Sequence, residues 1–467
     1  MRKNLKKIII AAVAVVVLVG AYFALKLIPD QNAGGETGSG TGGQQLVVAD
    51  DAIASAHIVN AKGEVTIRKS ESRTWKVDEL EGYDTDYDQI TAAITSLENM
   101  AATQVVQEQA DDLAEYGLDK PSATVEVTFG DGAAYTYELG NASPLGDGYY
   151  LKEKDKNKVY LTSTDVGKVM LGSLTTLVSR QIIPANDKLA EADIEHMELA
   201  GNARQGEEIV IEAASYTGAE NEVEMYSHRI VSPRSRLLDS EYLQSVLEFF
   251  KNCKADDVAE IAPDLEGLEV YGLTAPSYIV KVTIDKQEYE LWFGNTSAYG
   301  QTAVMLKGRD VVYLMSNENL DFVSANFDEV ANTIMLMPFI DTLDTVVVNY
   351  EGQSYEFKLT GERTNLAVTY NGKEMDIEAF RVVYRNIIAF KKEEAADKPA
   401  GEPYLTITLS YRGVESKDVI KFTEIDARRS FYELNDIGDF YVLNATVDDF
   451  IDLLSRFING EQISAKE

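Results

Sequence analysis

Three histidines and one cysteine are all that this chain of 467 residues offers among the side chains that most often supply a base, a nucleophile or a soft metal ligand. His57 and His196 each stand just before a predicted strand and are expected to hold equivalent places, while His228 lies in a polar segment. No H-x-x-x-H or C-x-x-C spacing occurs, so a zinc site would need distant ligands. Cys253, beside Phe249 and Phe250 on a predicted helix, reads as a small buried hydrophobe, and being alone it makes no intramolecular disulfide. Asp84, Asp86 and Asp88 are spaced as in a calcium loop, but Gln89 stands in place of the turn glycine and Thr95 in place of the bidentate glutamate. They read better as caps for a helix beginning near Tyr87. No G-x-S-x-G elbow, S-x-x-K pair or P-loop is present. Gly38, Gly40 and Gly43 spell G-x-G-x-x-G, yet no predicted strand precedes them and no helix follows, which removes the nucleotide reading. No catalytic, cofactor or metal site is therefore assigned.

Aromatic stacking on sugars is the other chemistry that the composition offers, through 25 tyrosines. Tyr135, Tyr137, Tyr160, Tyr289, Tyr313, Tyr411 and Tyr441 fall in predicted strands, where an aromatic is favoured for packing alone. Tyr149, Tyr150 and Tyr299 stand near turns in comparable places and are the candidates for an exposed aromatic contact.

Charge and hydropathy locate the chain. Lys and Arg total 43 against 77 Asp and Glu, a formal net charge of −34. Arg2, Lys3, Lys6, Lys7 and Lys26 flank one apolar run, so the rest is more acidic still and repels nucleic acid. Ile8 to Leu25 is uncharged, and with Leu27 and Ile28 it is long enough to span a bilayer. The basic residues before it orient the N-terminus to the cytoplasm and everything after Pro29 outside the cell membrane. The competing reading is a secretory signal cut near Val19-Gly20-Ala21; both export the body. The Gly-rich segment 29–45 reads as a tether.

The body repeats. Tyr116-Gly117-Leu118, with Pro121, recurs as Tyr271-Gly272-Leu273, with Pro276, and each block precedes an alternating strand: Val125, Val127 and Phe129, then Val280, Val282 and Ile284. A third such strand, Ile407, Leu409 and Tyr411, follows Pro403 without the Tyr-Gly-Leu block. A second strand ends at Gly140 and again at Gly294, read as glycines free to take positive φ. Val159-Tyr160-Leu161, Val312-Tyr313-Leu314 and Phe440-Tyr441-Val442 then lead into short helices, the last capped by Thr446 with Asp449. An amphipathic helix precedes each strand block. The expected architecture is an α+β fold: residues 1–28 an anchor, 29–45 a linker, and three tandem units over 46–184, 185–338 and 339–467, each an antiparallel sheet with helices on one face.

The Tyr-Gly-Leu-x-x-Pro block and the strands that follow it resemble the bacterial family catalogued as domain of unknown function 4340. The resemblance covers Tyr116–Met170 and Tyr271–Val323 well and the third copy weakly. It implies a membrane-anchored extracytoplasmic protein, often encoded beside an ABC transporter of the kind associated with gliding-motility auxiliary proteins, and it supplies no catalytic residues. The expectation is a non-catalytic binding or scaffold protein accessory to an ABC-type permease, anchored in the bilayer by Ile8–Ile28, with no cofactor. A cell-wall glycan-binding module is the alternative, and an envelope hydrolase a more remote one.

Overall fold

The computed structural model describes residues 44–47, 52–213, 227–413, 415 and 417–464. The expected span Ile8–Ile28 and nearly all of the tether lie outside the described residues. Among those described, no helix is long and apolar enough to cross a membrane.

Three sheets follow one another along the chain, and every strand pairing described is antiparallel. The first runs, from edge to edge, Gln44–Gln45, Ala101–Gln107, Val159–Thr162, Tyr149–Glu153, Ala134–Ala142, Ala123–Phe129, Ile53–Asn60, Gly63–Lys69 and Trp75–Val77. In the same sense the second runs Asp257–Ile261, Val311–Ser316, Gln301–Leu306, Gln287–Thr296, Tyr278–Ile284, Ile194–Ala200, Ile209–Ala213, His228–Ser232 and Arg236–Leu237. The third runs Ile437–Leu443, Arg429–Leu434, Lys417–Asp426, Leu405–Tyr411, Leu343–Tyr350, Gln353–Thr360, Ala367–Tyr370 and Lys373–Met375. Apart from edge strands the order is the same three times, so the copies share a topology as well as a motif.

Alternation builds the core. Val125, Val127, Val280, Val282, Ile407 and Leu409 all face inward and are buried, as period-two patterning requires. Three helices of twelve residues, Tyr87–Glu98, Ser240–Lys251 and Ile377–Ile388, lay their apolar stripes on that face. Each starts at an aspartate, Asp86, Asp239 or Asp376, whose carboxylate accepts backbone N–H groups of the first turn. The capping role read for the aspartates near Tyr87 thus belongs to Asp86.

Four expectations need correction. Ala101–Gln107, second from the edge of its sheet inside Gln44–Gln45, and the edge strand Asp257–Ile261 are strands that the repeat pattern missed; in the third copy only 393–396 runs there, bonded through Glu393 N to Tyr441 O and Ala396 N to Asp439 O. Helical elements do not keep to one face. Val159 and Tyr160 are neighbours on a strand, hence on opposite faces, yet both are buried: Tyr160 in the main core and Val159 beneath the short turn Ala114–Tyr116. In the third copy Phe440, not Tyr441, takes the place of Tyr313: Phe293 pairs with Val304 and Val304 with Tyr313, while Phe422 pairs with Tyr432 and Tyr432 with Phe440. The last helix begins at Asn444, two residues before the expected Thr446, and Leu443 supplies no side-chain cap. Asn444 is instead tied to the sheet, its amide donating to Asp426 O at 2.9 Å and accepting from the Ser430 hydroxyl at 2.6 Å.

One apolar cluster runs without a break from Leu46 to Val330, through Leu177, Ile182 and Cys253, so the first two sheets share a core. Residues from Met335 onward form their own cluster. Ion pairs join it to the second sheet: Arg236 and Arg234 both engage Asp439, and Lys392 engages Asp328.

Candidate functional site

The repeated motif is a docking device for the chain itself. Leu118 N donates to Leu113 O at 2.9 Å and Gly117 N to Ala114 O at 3.0 Å; Leu273 N to Leu268 O and Gly272 N to Glu269 O repeat the pair at 2.8 and 3.0 Å. These are the two bonds of a Schellman helix end, which needs a left-handed residue, and Gly117 and Gly272 both have φ +69°. Leu118 and Leu273 are buried on the sheet's second face. The tyrosine carbonyl ahead of the glycine then presses on the neighbouring strand, where a Cβ at Gly140 or Gly294 would overlap the carbonyl oxygen of Tyr116 or Tyr271. Close approach, not positive φ, is what demands those two glycines. Asn141 and Asn295 follow them, and Asn295 closes the contact with N to Tyr271 O at 2.7 Å and Nδ2 to Val270 O at 3.0 Å. Ladder pairing slips at both places, between Leu139 and Ala142 and between Phe293 and Thr296. Pro121, Pro276 and Pro403 each stand two residues ahead of the strand that follows. Tyr116, Gly117, Leu118, Tyr271, Gly272 and Leu273 are thus structural residues.

The three candidate contact tyrosines are not equivalent. Tyr299 is 93% exposed at a turn tip, and the matching tip of the first copy is Leu145, 86% exposed, because Ser143 N to Gly148 O and Ser297 N to Gln301 O close the two turns. The first turn is one residue longer, which shifted the apparent match to Tyr149. Tyr149 and Tyr150 are half-buried: Tyr150 packs edge-on against Tyr116 at 5.0 Å, and the Tyr149 ring lies where a side chain on Gly167 would stand.

Pairing register identifies the residue that replaces Tyr149. Tyr149 faces Ala142 and Thr162 as Thr302 faces Thr296 and Met315, so Thr302 is its counterpart, and Leu320 stands opposite in place of Gly167. Ser430 holds the position in the third copy, where Tyr404 reaches its hydroxyl at 2.8 Å. A tyrosine therefore reaches this place in both outer copies, by its ring at Tyr149 and by its hydroxyl at Tyr404. In the middle copy a cleft of about 280 Å³ lies there, lined by Ser277, Tyr278, Asn295, Thr296, Thr302, Asn317, Asp321 and Ser324 over the buried Phe293, Leu320 and Val323. Tyr278 and Ser324 also line a second recess of about 330 Å³, which adds Arg204, Gln205, Glu207 and Asn326.

The cleft is polar and directional. The Thr302 hydroxyl donates to Asn317 Oδ1 at 2.6 Å, and the Thr296 and Thr302 hydroxyls are 2.8 Å apart. With its one hydrogen committed, Thr302 accepts from Thr296. Arg204 donates to Ala325 O at 2.9 Å and Val323 O at 2.7 Å, and its guanidinium lies 5.7 Å from the Tyr278 ring centre. Burial lowers the pKa of Arg204, the nearby Tyr242 and Tyr278 opposing the shift.

The residues first considered for chemistry are dispersed. His57 and His196 lie inside the opening strands rather than before them, and they do not correspond: Ile53 pairs with Phe129 as Ile194 pairs with Ile284, which aligns His57 with Glu198 and His196 with Ser55. His228 is buried, its Nε2 2.7 Å from Ile194 O, contrary to its polar surroundings in sequence. Cys253 is buried just past its helix, and burial pushes its thiol up to about 12. Among the described residues, no three His, Cys, Asp or Glu side chains are grouped to hold a metal ion. Sequence reasoning missed Thr302, Asn317 and Asp321; aligning the copies with a gap in the 143–148 turn would have set Thr302 against Tyr149.

The fold and this site define an α+β protein built from three like sheets, with a polar cleft in the middle unit at a place that a tyrosine side chain reaches in each of the other two. The chain belongs to the family described as domain of unknown function (DUF4340), whose model matches residues 75–266 and again 229–404. Each match begins in or beside the third strand of one sheet and runs into the next unit, in keeping with the core that the first two sheets share. No match is found among curated proteins or among solved structures.

Proposed function

We propose that this chain is a non-catalytic binding protein, held at the outer face of the cell membrane by Ile8–Ile28 and accessory to an ABC-type transport system. The observation that carries the reading is the contrast between copies: one scaffold built three times, with a polar cleft in the middle copy at a place where its sisters pack a tyrosine. Reusing a scaffold while opening one position suits recognition, in which rigid outer parts hold a receptive one. The acidic body and the apolar, base-flanked N-terminal run support placement outside the membrane. The transporter link rests on family analogy.

The test is to cross-link the full-length protein in its native membrane, solubilise it gently and identify by mass spectrometry what co-purifies, with a version lacking residues 1–28 as control. A permease and its ATPase recovered only with the anchored form is the expected result. Recovery of neither, with wall fragments retained by both forms, would overturn the transporter role.

A further inference from the structure

We propose that the cleft of the second unit binds a neutral saccharide, with Asp321, Asn317 and Thr296 gripping its hydroxyls beside the Tyr278 ring. The inference deepens the binding reading above and rests on it. Charge narrows the ligand first. The 280 Å³ cleft is lined by one carboxylate, Asp321, and no cation, and the adjoining recess is lined by one charge of each sign, Glu207 and Arg204. Both terminal nitrogens of Arg204 already serve backbone carbonyls. A phosphate or carboxylate would thus meet Asp321 without a dedicated counter-charge, in a chain of net charge −34. A purely apolar ligand would strip water from Ser277, Asn295, Thr296, Asn317 and Ser324 without replacing its hydrogen bonds.

Hydrogen-bond direction then selects hydroxyls. The chain from Thr296 through Thr302 to Asn317 leaves a lone pair on Thr296 at one end and the Asn317 amide NH2 at the other. A sugar hydroxyl both donates and accepts, so adjacent hydroxyls can satisfy an acceptor and a donor set side by side. The Asp321 carboxylate can accept from two hydroxyls at once, and such charge-assisted bonds are the strong ones. Tyr278 supplies an aromatic surface at the junction of the two recesses for the C–H face of a ring. Together the recesses lie in the size range of small-molecule sites, enough for more than one sugar unit.

The experiment is saturation-transfer difference NMR on the full-length chain in lipid nanodiscs, since maltoside and glucoside detergents bring sugar heads of their own. The probes are glucose, N-acetylglucosamine, maltose and chitobiose, with methyl phosphate and acetate, whose methyl protons report transfer, as the anion arm. Transfer to at least one saccharide and to neither anion is expected. The double variant T302Y/L320G, which rebuilds the Tyr149 and Gly167 pair of the first unit, should abolish it. D321N, a milder change that leaves shape intact, should weaken it roughly tenfold. Transfer undiminished in both variants would overturn the site. Transfer to no saccharide, or to the anions instead, would overturn the ligand class, and the transporter reading would still stand if the permease co-purifies in the cross-linking experiment.

Discussion

Replacing Gly294 with alanine tests how the family motif works. The new Cβ would overlap the carbonyl oxygen of Tyr271, which is backbone and has no rotamer to escape into. Strand and turn must separate, breaking the bonds from Asn295 N to Tyr271 O and from Asn295 Nδ2 to Val270 O. Each is worth about 1 kcal/mol net. Partial exposure of Leu273, now buried, adds about 1 to 2 kcal/mol. The expected cost is about 3 to 4 kcal/mol, confined at first to the turn. Because a chain with three sheets need not unfold in one step, the assay is amide hydrogen exchange read on a peptide spanning residues 265–273. Leu273 N–H, bonded to Leu268 O, should exchange about 140- to 700-fold faster in the variant. Gly300→Ala is the control: a Cβ there meets nothing within 4 Å, and its φ of +74° costs only about 1 kcal/mol. Should Gly294→Ala change the exchange less than about threefold, or no more than Gly300→Ala does, the close-approach account is wrong.

Other outcomes follow from the same structure. Asp439→Ala leaves Arg236, only 2% exposed, beside Arg234 without a counter-ion and should cost about 3 kcal/mol or more, while Arg236→Met combined with Asp439→Leu should cost less than Asp439→Ala alone; urea unfolding of the third unit reads both. Thr423→Val should be neutral or slightly stabilising in the same assay, because the buried Thr423 hydroxyl has no partner. The Cys253 thiol should resist alkylation at neutral pH until the chain unfolds; its raised pKa means that its stabilising contribution is complete below about pH 8.5 and is lost as pH rises toward 12. Hydrogen bonds from Arg429 and Lys421 hold the Asp426 and Asp436 carboxylates below the usual range, so their small contribution is present above about pH 4 and fades as pH falls further, which acid titration of the third unit can follow.

Much of the fold was legible because burial imposes a period. Val125, Val127, Val280 and Val282 announced their strands, and the stripes of Tyr242, Val246 and Phe250 announced a helix, since one face of each had to be apolar. Ala101–Gln107 was hidden for the complementary reason: only Ala102 is fully buried, with Thr103, Gln104 and Gln107 exposed, so the strand has no period-two apolar pattern to advertise. Tyr441 misled because a one-residue slip turns a strand over while leaving its composition familiar. The cleft was the least legible part, since even a gapped alignment of the copies would have shown only that Thr302 stands against Tyr149. It is made by what Thr302 lacks relative to Tyr149, and a difference in filled volume appears only once pairing register has set the copies against each other.

The third unit shows that two features of the motif depend on each other. Register places Thr423 and Glu424 where the other units have Gly294 and Asn295, and the same unit has lost the Tyr-Gly-Leu turn. The strand pairs straight through the position, Thr423 with Phe431 and Glu424 with Ser430. Glycine was compulsory only while a carbonyl pressed on it, so the turn and the glycine are a single inherited trait written in two places. The two cannot be separated, because a threonine under an intact turn would force strand and turn apart. Any chimera exchanging parts between units should move the turn and the Gly-Asn pair together; returned alone, the turn would meet a side chain where it needs bare backbone.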